Sequence, residues 1–130
     1  MENGYYHVFN RGVEKRIIFQ NSQDYRVFLH YLKLYLSPPK SLKSIKENTF
    51  IQRPRQRPLN NFHGKITLIA YCLMPNHFHL FIKQKPANGI ERFMRSLGTK
   101  YVQYFNKRYQ RVGPLFQDIY KAVLIKTDDP

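Results

Sequence analysis

Tyr71-Cys72-Leu73-Met74-Pro75-Asn76-His77-Phe78-His79-Leu80-Phe81-Ile82 is an apolar run that stops at a Pro-Asn corner and restarts with two histidines flanking one phenylalanine. Proline fixes φ and asparagine bonds its own backbone, so the corner predicts a tight turn between two strands. On a strand over 77–82 the side-chain period of two places His77, His79 and Phe81 on one face and Phe78, Leu80 and Ile82 on the other. One face is greasy and the other carries two imidazoles. Histidines at i and i+2 on a pleated face can converge on one divalent cation. They can equally be two half-buried strand residues with ordinary hydrogen-bond partners, and spacing alone does not choose.

The rest of the chain supplies the partners of that hairpin. Upstream, residues 65–73 carry apolar groups on both sides (Ile66, Leu68, Ala70 and Ile69, Tyr71, Leu73), as expected of a strand with neighbours on both sides or a helix above, with Cys72 as plain core. Residues 5–10, aromatic and β-branched and followed by Asn10-Arg11-Gly12, predict a first strand that contains His7. From Ser22 to Ser37 the residues Tyr25, Phe28, Leu29, Leu32, Tyr35 and Leu36 recur at three and four, so a helix is expected there, capped by Asn21 or Ser22 and ended by Pro38-Pro39. Asn88 with Glu91 reads as a capping box opening a second helix to about Tyr109. A last strand is expected over 115–126. The order strand, helix, strand, strand, helix, strand predicts one α+β domain over 1–130. Its expected fold is a ferredoxin-like βαββαβ sandwich: a four-stranded antiparallel sheet, both helices on one face, and His77 and His79 on the open face.

The 130 residues carry 22 Lys+Arg against 8 Asp+Glu, a formal charge of +14. Solubility needs far less, so a polyanionic partner is expected, nucleic acid before membrane. No apolar run is long enough to cross a bilayer and the polar start has no secretory layout, which points to a cytoplasmic, nucleoid-associated protein. One cysteine excludes an internal disulfide and a multi-cysteine zinc site. Residues 38–64 form a basic excursion with no sustained period. It is open to two readings, a solvated loop or an arm in which Arg53, Arg55 and Arg57 contact nucleic acid. The outer face of the second helix, with Arg92, Arg95, Lys107, Arg108 and then Arg111, is likewise either solvated or set for phosphate contacts.

Several separated segments carry a resemblance. Ala70 to Leu80 with its Pro-Asn-His-Phe-His core, Tyr6-His7-Val8-Phe9-Asn10-Arg11-Gly12, Tyr104-Phe105-Asn106, Gly113-Pro114-Leu115-Phe116-Gln117 and Tyr120-Lys121-Ala122 resemble, in order, the HUH-type tyrosine transposases: the single-strand insertion-sequence transposases and their REP-associated relatives. The resemblance implies a domain that binds a DNA hairpin and nicks and rejoins the adjacent single strand. In that family two histidines, matched by His77 and His79, hold Mg²⁺ or Mn²⁺ at the scissile phosphate. A tyrosine attacks to give a 5′-phosphotyrosine and a free 3′-OH, conserving the bond energy for rejoining. Asn10, Arg11 and Lys121, lying in matched segments, join the arginines above as expected DNA contacts. Homodimers occur in some branches of the family.

The pattern breaks at the nucleophile. In the family it stands on a further helix after the last strand, with an Asn or Gln one turn later completing the metal shell. This sequence reaches Pro130 where that helix would begin, so the catalytic helix is expected to be absent. No other tyrosine replaces the pair: Tyr101 and Tyr104, the nearest substitutes, have Phe105 and Arg108 four residues on. Tyr6 has Asn10, but ~3.3 Å per strand residue separates them by ~13 Å. Three functions therefore stay open: strand transfer by an enzyme, binding to hairpin and single-stranded DNA by a truncated or domesticated domain, and RNA binding or cleavage on a ferredoxin-like sheet.

Overall fold

The computed structural model describes residues 1–38 and 61–127. Strand β1 (Gly4–Arg11) leads through a single 3₁₀ turn at Val13–Lys15 into helix α1 (Ser22–Leu36); β2 (Ile66–Met74) and β3 (His77–Gln84) form the hairpin; α2 (Gly89–Arg108) and β4 (Lys121–Thr127) complete the order. The sheet runs β2-β3-β1-β4 with every neighbouring pair antiparallel. This is the expected α+β ferredoxin-like sandwich. The basic excursion, with Arg53, Arg55 and Arg57, lies outside the described residues apart from its two ends.

β3 alternates along its whole length: Phe78, Leu80, Ile82 and Gln84 are buried, whereas His77, His79, Phe81 and Lys83 are only partly covered. The buried set meets the inner stripes of both helices. Phe28 of α1 packs 5.2 Å from Phe78 and 5.3 Å from Tyr101 of α2, ring centroid to ring centroid. Burying a side chain of that size is worth about 2–3 kcal/mol, so the greasy face of β3 fixes which side the helices occupy.

The connection from β1 to α1 anchors the hairpin corner. Pro75 O accepts hydrogen bonds from Ile18 N (2.8 Å) and Phe19 N (3.1 Å), and Asn76 O accepts from Gly12 N (2.9 Å). Gly12 is required by close approach, since a Cβ there would lie 2.1 Å from Arg16 O. α1 opens on a reciprocal pair in which Asn21 Oδ1 accepts from Asp24 N and Asp24 Oδ2 accepts from Gln20 N.

Three sequence expectations need correction. β2 is an edge strand with one open face: Cys72 and Met74 pair with His79 and His77 on that face, so Cys72 lies on the surface rather than in the core, and Ile69 and Tyr71 are exposed as well. Asn88 makes no side-chain cap; Gln84 Oε1 accepts from Ile90 N at 3.0 Å instead, and Glu91 pairs with Arg95 at 2.9 Å. β4 begins at Lys121, six residues later than expected, because 115–120 forms no continuous ladder with β1: it is joined to the end of that strand by the isolated Gly12–Phe116 bridge and by single hydrogen bonds such as Gln117 N to Arg11 O, while Leu115 turns fully into the core. Among the described residues no helix is long and apolar enough to cross a membrane.

Candidate functional site

The Pro75-Asn76 turn delivers His77 and His79 to the open face of the sheet, their rings 5.0 Å apart and nearly perpendicular. Pairing with β1 sets Arg11 opposite His77 and Phe9 opposite His79, and β4 sets Lys121 opposite Phe9. The result is a cleft of ≈ 340 Å³ lined by Phe9, Asn10, Arg11, His77, His79, Asp118 and Lys121. A larger cleft of ≈ 560 Å³ between α1 and β2 is walled mainly by Leu29, Leu32, Leu36, Ile66 and Leu68 and lacks a comparable set of converging charges.

Each histidine has one ring nitrogen engaged. His77 Nδ1 lies 2.7 Å from Asn76 Oδ1, and His79 Nδ1 lies 2.7 Å from Nε2 of His7, whose ring stacks at 4.9 Å. Partial burial, and then the neighbouring His7 and His77, lower the His79 pKa below the ordinary imidazole value. That favours the neutral ring a metal or a proton donor would meet. Among the described residues no group of three His, Cys, Asp or Glu side chains is placed to hold a cation, so the histidine pair offers two ligands and not a closed cage.

Charge in the cleft comes from β1 and the segment before β4. The Arg11 guanidinium is held by Gln117 Oε1, and Lys121 Nζ lies 4.0 Å from Asp118. Asn10 is 4 % exposed. Its Nδ2 donates to the carbonyls of Asp118 (2.8 Å) and Ile119 (3.2 Å), while its Oδ1 accepts from Arg11 N (2.9 Å). The Asn10 side chain thus holds the 118–119 segment against the site.

The remaining expected DNA contacts sit elsewhere. α2 packs on the buried face of the sheet, so its exposed Arg92, Arg95, Lys107 and Arg108 stand on the helical side. Arg111 is tied to Asn106 Oδ1 (2.6 Å) and Pro114 O (3.0 Å). Tyr101 is fully buried and donates to Ile18 O, and Tyr104 donates to Asp24 Oδ1 at 2.6 Å. Burial first, and then Asp24, raise both hydroxyl pKa values well above the ordinary phenol value. Neither is positioned or activated as a nucleophile toward the cleft. His7, Asn76 and Asp118 are the site residues that sequence reasoning passed over. Strand parity marks His7 as a face residue, but only the β1–β3 register brings it to His79.

The family model for IS200-like transposases matches residues 57–129, more than half of the chain. No curated protein sequence matches. The fold is similar to the solved structure of a REP-associated tyrosine transposase bound to a REP hairpin, with TM-score 0.51 and 12 % identity over 98 % of this chain; the chain spans 59 % of that protein.

Proposed function

Because the chain belongs to the IS200-like transposase family, we propose that it binds a DNA hairpin and serves as the nicking and joining domain for the adjacent single strand, in the cytoplasm and associated with the nucleoid. The observation that carries this reading is the cleft in which His77 and His79 meet Arg11 and Lys121. Two cationic side chains beside two imidazoles suit a phosphodiester. Arg11 and Lys121 would bind and orient the phosphate, and Asn10 keeps Lys121 at hand by fixing the segment before it.

The donor set also fits a divalent cation as two of its ligands, because both rings are engaged through Nδ1 and have Nε2 left over. His77 and His79 would hold Mg²⁺ or Mn²⁺. When bound, the ion supplies charge stabilisation at the phosphate oxygens. We assign none of the described tyrosines to the attack, since none lines the cleft.

That same observation favours a second reading, a domain that binds hairpin and single-stranded DNA without cutting it. Incubation with a hairpin carrying a single-stranded flank and Mn²⁺, followed by a denaturing gel, separates the two. Strand transfer predicts a nick and a covalent protein-DNA adduct, while binding that weakens steeply with salt but leaves the strand intact supports the second reading. An adduct that persists in the His77→Ala, His79→Ala double variant would sink the cation assignment.

A further inference from the structure

We infer that Asn76 and His7 are positioning residues that fix the tautomers of the histidine pair, each accepting an Nδ1–H so that His77 and His79 both keep a bare Nε2. The use of those two lone pairs by a cation rests on the proposed function; the tautomers themselves do not.

Counting protons assigns His77 and leaves two arrangements at His79, of which we propose the second. A neutral imidazole has one N–H and one lone pair. Asn76 Oδ1 can only accept, so at 2.7 Å the proton of that bond sits on His77 Nδ1. Neutral His77 then has no proton left for Nε2. Between His7 Nε2 and His79 Nδ1, also 2.7 Å apart, two bare lone pairs would repel, so one ring donates. If His7 donates, neutral His79 carries its own proton on Nε2 and both of its nitrogens are occupied. If His79 donates, its Nε2 is free and His7 carries its remaining proton on Nδ1. Only the second arrangement leaves the two cleft histidines equivalent.

The fold makes His7 a stiff acceptor. It is diagonal to His79 across the β1–β3 register, where Phe9 is the direct partner of His79. The Phe9 ring stacks on His7 at 4.7 Å and also meets His79 at 6.0 Å, which restricts rotation of the acceptor ring. Asn76 is held by its backbone, whose carbonyl accepts from Gly12 N at 2.9 Å. Two different acceptors, one from the turn and one from a neighbouring strand, thus impose the same proton position on two successive face residues of β3.

The test is made first on the metal-free chain. Long-range ¹H–¹⁵N spectra of ¹⁵N-histidine protein at about pH 8, above the ordinary imidazole pKa of about 6.5, report which ring nitrogen bears hydrogen. The expected result is Nδ1–H for both His77 and His79. In His7→Phe the His79 signal moves toward the Nε2–H form and His77 is unchanged; in Asn76→Ala the reverse holds. His7→Gln, whose amide oxygen can accept, restores the wild-type His79 signal. Mn²⁺ titration should show a loss of about 10–100-fold in affinity for His7→Phe with recovery in His7→Gln. An Nε2–H tautomer at His79 in the wild type, or a His79 signal indifferent to His7→Phe in protein that melts like the wild type, overturns the inference. Tautomers as stated with no Mn²⁺ binding would uphold it and refute the cation reading, whereas Mn²⁺ binding with the opposite tautomer would do the converse.

Discussion

The two faces of the sheet each gather polar side chains among aromatic rings, and they use them in opposite ways. On the helical side Asp24 is fully buried; it accepts hydrogen bonds from Tyr104 and Tyr109 at 2.6 Å and from Gln20 N at 2.8 Å, with Arg108 3.6 Å away. Its acceptor capacity is spent within the chain. On the open side His79 meets His7 and His77 meets Asn76, each at 2.7 Å, and ring nitrogens are left over next to Arg11 and Lys121. A buried polar group left unsatisfied is costly, so the closed network must be complete to be tolerated. A partly exposed one can remain incomplete in water, and that incompleteness is what a ligand can use.

Substitutions can break this contrast. Phe78→Ala removes a ring from the packed face and should cost about 3–5 kcal/mol in urea denaturation, while Phe81→Ala, three residues further on and on the same face as the histidines, should cost much less. Equal losses would deny the two-faced reading of β3. Asp24→Ala leaves the Tyr104 and Tyr109 hydroxyls and Gln20 N without their acceptor and should cost about 2–4 kcal/mol.

His30 gives a smaller, pH-dependent effect. Burial, and then Lys33, lower its pKa, and its buried Nε2 makes no hydrogen bond among the described residues. As pH falls through the ordinary value of about 6.5 the unfolded chain takes up a proton that the folded chain resists, so stability falls with it. His30→Leu should flatten that part of the stability-pH curve; an unchanged slope would place the titration elsewhere. The smallest stability effect belongs to His77→Ala with His79→Ala, expected within about 0.5 kcal/mol by thermal melting while Mn²⁺ binding is lost.

Local signals in the sequence carried the element order and the partition of β3, because a Pro-Asn turn and a period of two are decided by neighbouring residues. Strand order is decided by distant ones. Ile69, Tyr71 and Cys72 read as core because an apolar run looks alike whether its strand is central or at an edge. Asn88 and Glu91 have capping spacing, yet Gln84 reaches the helix start first. The histidine pair itself was visible, but His7 joins it from 72 residues away and Asp118 is brought in by an amide 108 residues away, separations at which no periodicity operates.

The corner before His77 can also be viewed as a joint under load. Tyr101 of α2 donates to Ile18 O, Ile18 N donates to Pro75 O, and Pro75 precedes Asn76 and His77 in the chain. A strut of three residues therefore runs from the middle of the helical layer to the histidine turn on the sheet. The turn is thereby tied to a buried tyrosine of the helical layer, and the backbone leading into His77 is held from behind the sheet.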